Sequence, residues 1–145
     1  MHETRLLTKR DAALVTRLRR ICEALPEANE RISHGEPTWF AGRGKVFAML
    51  DNHHHGADHL AVWLPLPFGA QDDLVSLDPA RFFVPPYVGG KGWVGVRLDA
   101  KTDWDFVAEL VHDAFRHVAT KTLIARLTNT TAQVKKERSA STRQP

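Results

Sequence analysis

The chain has 145 residues, 43% of them hydrophobic, which suits one domain able to bury a core without disulfides or a structural metal. Its longest apolar run falls well short of the roughly 20 residues that span a bilayer, the N-terminal MHETRLLTKRD lacks the apolar core of a signal peptide, and a single cysteine, Cys22, excludes an internal disulfide or a thiol pair. The net charge of +3 hides a split: residues 1–20 carry six Lys/Arg against two acids, residues 121–145 six against one, and the middle hundred eight against fourteen, so a polyanion must use the ends or a local cluster of cations. A soluble, cytoplasmic protein that does not enter a membrane is expected.

In chain order, LTKRDAALVTRLRRICEAL opens a helix: Thr8 is placed to cap it, Ala13, Leu14, Leu18, Ile21, Cys22 and Leu25 recur at helical spacing, and Pro26 ends it. Cys22 falls on the inward stripe and is read as a buried thiol. EANERIS, PTWFA, KVFAML and HLAVWL follow as four short extended segments punctuated by HGE, GRG and a histidine loop. As neighbours in sequence they pair most simply in antiparallel fashion.

PFGAQDDLVSLDP then reads as a short amphipathic helix between prolines, RFFVP and GWVGVRL as two further strands, and TDWDFVAELVHDAFRHVA as the strongest helix, capped by Thr102 or Asp103. After KTLIARL the pattern decays into TNTTAQVKKERSASTRQP, read as a solvated, disordered tail. The expected layout is a domain over residues 1–120 and a basic C-terminal extension over 121–145, partly helical. The order of elements makes this an α+β protein, an antiparallel sheet with helices packed on one face.

The segments ALPEANERISHGEPTWFAGRGKVFAMLDNHHHG and RFFVPPYVGGKGWVGVRLD closely resemble the MmcQ/YjbR family of small bacterial proteins, over about residues 8–120. The resemblance implies an α-β(3)-α-β(2)-α fold similar to frataxins and secretion chaperones. It also implies a predicted DNA-binding role, with two hairpin wings flanking a concave sheet. A role inferred from shape is an analogy, and its weight rests on the residues.

Strand parity supplies that weight. In GWVGVRL, Val94, Val96 and Leu98 share one face, which leaves Trp93, Gly95 and Arg97 on the other. Trp63 is likewise expected to point away from the helices, while the register of Trp39 stays open. With Arg43, Lys45, Lys91, Arg97 and Arg81 at its margins, an aromatic open face would suit DNA or a single strand, its bases stacked on Trp93 and Trp63 and its phosphates met by Arg43, Lys45, Lys91 and Arg97. Tail cations Lys135, Lys136 and Arg138 would add affinity without specificity. The same face could instead take a peptide or an aromatic small molecule, or its tryptophans could pack on a second subunit, on the C-terminal extension or on one another, with the cations paired to the acids of the body; monomer and dimer both remain open.

Other motifs carry less. VGGKGW lacks the helix that must follow a nucleotide-binding fingerprint and reads as a wide turn needing positive φ at Gly89, Gly90 or Gly92. Adjacent histidines on an extended chain point apart, so His53, His54 and His55 form a polar loop more readily than a metal site, although His53, His55 and His59 with Asp51 or Asp58 make a conceivable ligand set. His34 and Glu36 lie two apart without a nucleophile elbow around Ser33. No catalytic residue, metal or cofactor is expected, and the chain reads as a non-enzymatic binding module.

Overall fold

The computed structural model describes residues 6–127, apart from the side chain of residue 55. Helix α1 (Lys9–Glu23) starts where the hydroxyl of Thr8 accepts the Asp11 amide at 3.1 Å, and it buries Leu14, Val15, Leu18 and Cys22. Four strands follow: β1 (Ala28–Ser33), β2 (Glu36–Ala41), β3 (Val46–Asn52) and β4 (Leu60–Leu64). Helix α2 (Ala70–Leu77), the two-residue strand β5 (Phe82–Phe83), strand β6 (Val94–Leu98) and helix α3 (Trp104–Val118) complete the order, and residues 121–127 form a further helix, α4. Of the two residues expected to cap α3, Asp103 does so, accepting the Phe106 amide.

The six strands form one antiparallel sheet in the order β1-β2-β3-β4-β6-β5. This is the α+β layout implied by the resemblance with one more strand at its start, β1, which the extended pattern of EANERIS had marked. The β1–β2 turn shows how closely the local sequence dictates the geometry. His34 and Gly35 both have positive φ, 53° and 81°, between the paired Ser33 and Glu36. That is the two-residue turn whose twist matches a hairpin. His34 is therefore an exposed turn residue.

One face of the sheet carries the helices. Trp39, Ala48, Leu50, Val62, Leu64, Val94 and Val96 from the strands meet Val15, Leu18, Val111, Ala114 and Phe115 in one core, with Phe47 set edge-on to Phe115 at 5.2 Å between ring centres. A β-bulge shapes this layer: Trp39 pairs with Ala48 but Phe40 pairs with Val46, so Phe47 is an extra residue on β3. As a result the consecutive Phe47 and Ala48 are both fully buried. The α1 side is pinned to the sheet by Arg19, whose Nε donates to Glu30 Oε1 at 2.7 Å.

The described part of the C-terminal extension joins the core, since Leu123 and Leu127 of α4 are buried there. Lys135, Lys136 and Arg138 lie outside the described residues. Among the described residues no helix is long and apolar enough to cross a membrane. Cys22 is fully buried, and burial pushes its thiol well above the ordinary range, which leaves no reactive thiolate.

Two outcomes follow for the core. Phe115→Ala should lower stability by about 3 to 5 kcal/mol in urea unfolding, through lost burial and the cavity left beneath β3. Cys22 should stay unmodified by Ellman's reagent in the native protein and react only as the chain unfolds.

Candidate functional site

The helix-free face, the one that no helix among the described residues covers, is built from residues alternating with the core set: Met49 and Asp51 on β3, Ala61 and Trp63 on β4, Gly95 and Arg97 on β6, and Phe83 on β5. The parity reading of Trp63 is correct as to side. It is corrected as to exposure, because the indole is only 5% exposed. Its Nε1–H donates to Asp51 Oδ2 at 3.0 Å, and the ring of His54 stands edge-on to it at 5.4 Å.

Asp51 holds this layer together. Its nearly inaccessible carboxylate also accepts the His54 backbone N–H at 2.8 Å and faces His59 Nε2 at 2.9 Å. Three N–H groups thus satisfy one buried anion, an arrangement without which its burial would be costly. Phe83 lies across Gly95 so closely that a Cβ there would fall 2.3 Å from the ring, and it is flanked by His59 at 4.7 Å and by the Arg97 guanidinium at 4.7 Å. Strand β4 is consequently buried along its whole length, on both faces.

The histidine loop is structural in the same sense. His53 spans the Ala57 carbonyl and the Asp11 carboxylate, each at 3.1 Å, and so ties the loop to the first turn of α1. His59 and Asp51 do approach each other as the ligand set supposed, but His53 faces away to Asp11. Among the described residues no three His, Cys, Asp or Glu side chains are placed to hold a metal ion.

The predicted contact residues divide into two groups. Arg97 donates to the carbonyls of Pro79 and Ala80, at 3.3 and 3.2 Å, and leans over Phe83. Arg81 donates to the Arg97 carbonyl at 2.8 Å and pairs with Asp99 at 3.1 Å. Burial by itself would raise the Asp99 carboxyl, but the Lys101 amide and the Arg81 guanidinium outweigh it and hold the group below its usual value. These arginines are committed to the fold.

Arg43, Lys45 and Lys91 are exposed, and no described acid pairs with them. The register brings them to one end of the sheet. Arg43 and Lys45 occupy the turn where β2 ends and β3 begins, and Lys91 and the half-buried Trp93 immediately precede β6, which starts opposite the last residue of β4. Two strand spacings, roughly 10 Å, separate β3 from β6. Beside this turn Arg31 and Arg43 line an open cleft of about 540 Å³ with Glu27, Asn29 and Gly42. Arg31 is propped over the Phe40 ring at 3.7 Å, while Glu27 is engaged by Arg126 at 3.4 Å.

Sequence reasoning passed over two exposed aromatic residues on the loops around β6. Phe68, fully exposed, precedes α2, and Tyr87, 76% exposed with φ of 65°, precedes the Gly89–Lys91 turn and stands edge-on to His54 at 5.7 Å. Of the glycines in that loop, Gly92 takes the positive φ, at 87°. The signal for Phe68 lay in PLPFGA, where a large ring sits directly before a glycine in a turn rather than in a periodic segment.

Comparison with known proteins places this architecture. The YjbR family model matches residues 23–117, and the chain belongs to that family. The crystal structure of the Deinococcus radiodurans protein DR2400, a DUF419 domain, shares the fold at 21% identity with a TM-score of 0.59, over 70% of this chain and 75% of that one. No curated protein matches.

The Asp51 layer makes a direct prediction. Asp51→Ala would leave the Trp63 indole and the His54 amide without their acceptor and should cost about 3 kcal/mol or more in urea unfolding. Asp51→Asn, which keeps one carbonyl oxygen, should lose less.

Proposed function

We propose that this protein is a non-enzymatic nucleic-acid-binding module whose contact surface is the cationic end of the sheet. The reading rests on one observation: Arg43, Lys45 and Lys91 come together at that end, exposed and unpaired with described acids, whereas Arg81 and Arg97 beside the face spend their donors on Asp99 and on backbone carbonyls. Exposed cations set along one edge of a fold can follow a phosphate backbone. The Arg31–Arg43 cleft adds a second guanidinium beside the first, a geometry suited to a phosphate's oxygens. Family membership is consistent with this role and does not specify it.

A second reading is favoured by a different feature. Strand β1 is an edge of the sheet, no described strand covers its outer side, and its Ile32 is 69% exposed, so an extended peptide could add there as a further strand. The two readings differ in their response to salt.

Fluorescence anisotropy with a labelled oligonucleotide decides between them. Binding should weaken steeply between 50 and 200 mM salt, conditions in which phosphate contacts are lost, as roughly 10³-fold effects for many-contact proteins illustrate. Replacing Arg43 and Lys91 together by alanine should lower affinity about tenfold and reduce the slope of log affinity against log salt by about 1.4 for a single strand, 0.7 for each phosphate contact. Absence of binding to any DNA or RNA strand at low salt would overturn the proposal.

A further inference from the structure

We infer that the preferred ligand is a strand with unpaired bases, which stack on Phe68 and Tyr87 while Lys91 meets the adjoining phosphate. This deepens the nucleic-acid reading above and rests on it.

Phe68 sits at the corner of a tight turn. The Ala70 amide donates to the Pro67 carbonyl at 3.1 Å, and Gly69, third of the four residues, has φ of 94° and ψ of −25°. This is a type II turn, which requires a residue tolerant of positive φ at its third position. The Cβ that Gly69 lacks would meet nothing within 4 Å, so the backbone angle alone calls for glycine. The second position of such a turn usually holds proline or a polar residue; here it holds a phenylalanine with no cover.

The ring is presented from a braced position. Gln71, in the first turn of α2, donates from Nε2 to the Gly89 carbonyl at 2.8 Å and to the Trp93 carbonyl at 2.7 Å. One side chain thereby fastens the segment bearing Phe68 to the loop bearing Lys91. Tyr87 belongs to the same loop, two residues before Gly89. Its φ of 65° is one that a bulky side chain rarely adopts, and the Val88 amide closes a three-residue turn around it onto the Pro86 carbonyl at 2.7 Å. Backbone held in a strained region of this kind is sustained by the surrounding structure and concentrates at functional sites.

The uncovered ring of Phe68, the ring of Tyr87, 76% exposed although it stands edge-on to His54 at 5.7 Å, and the exposed ammonium of Lys91 lie on joined loops and match the chemistry of a single strand. Its bases offer π-faces and its backbone offers charge, whereas a duplex hides the faces inside its stack. The cations at this end favour such a ligand over an apolar protein surface, which would gain nothing from Lys91, Arg43 and Lys45.

The test compares a labelled twelve-residue oligothymidylate with a twelve-base-pair duplex by fluorescence anisotropy at low salt. The wild-type protein should prefer the single strand. Phe68→Ala should weaken oligothymidylate binding roughly 5- to 100-fold and leave duplex binding and the salt slope unchanged, Tyr87→Ala should act in the same sense, and Phe68→Trp should restore the affinity. Because Phe68 is uncovered, its variants should unfold at the wild-type urea midpoint. Wild-type binding that Phe68→Ala leaves intact, or weakens equally for strand and duplex, overturns the stacking inference while sparing the nucleic-acid reading. Failure of the wild type to bind either ligand overturns both, and a change in oligomeric state on Phe68→Ala without an effect on binding assigns the ring to a protein contact instead.

Discussion

The carboxylate of Asp51 is the interaction on which the helix-free side of this sheet depends. A charge removed from water in the middle of a sheet would be strongly unfavourable by itself, and here an indole, an imidazole and a backbone amide converge on it. These bonds fix the orientation of Trp63, the path of the chain after β3 and the position of His59, against which Phe83 settles. A face that a two-layer arrangement of sheet and helices would leave to solvent becomes a second, smaller packed layer. Its polar centre makes it unlike the aliphatic core under the helices, because removing any donor or the acceptor leaves a buried polar group unanswered.

This layer also decides where ligands can act. Arg97 on β6 and Arg81 just before the edge strand β5 spend their donors on carbonyls and on Asp99. Arg43, Lys45 and Lys91, by contrast, stay exposed in the turns at one end of the sheet. Loops on a rigid scaffold are where binding residues concentrate, since the scaffold holds them while their own hydrogen bonds remain available. The cleft beside Arg31 and the braced loops around Gln71 both follow that pattern.

Much of the architecture was legible in the sequence. The apolar stripes of α1 and α3, their capping residues and the punctuation of the meander all act locally, and the structure reproduces them. The side to which Trp63 points was legible too, since alternation is a property of the strand itself. Its accessibility was not, because the groups that meet the indole, the ring of His54 and the carboxylate of Asp51, come from another strand and the loop after it and converge only in the folded chain. An aspartate ending the apolar run FAMLD resembles the start of a loop, and nothing local distinguishes it from a buried hub. Phe68 was obscured for the opposite reason: it fell inside the stretch PFGAQDDLVSLDP read as a helix, whereas the helix begins only at Ala70 and leaves the ring on the preceding turn.

The extra residue at Phe47 reaches further than the two side chains it buries. Uninterrupted alternation from Val46 would aim Met49 and Asp51 at Phe115 and the aliphatic interior, and would turn Leu50 outward. The one-residue offset resets the phase of the strand, so the acid emerges beside Trp63 instead. A local irregularity near one end of β3 thus determines which hemisphere of the molecule receives its buried negative charge.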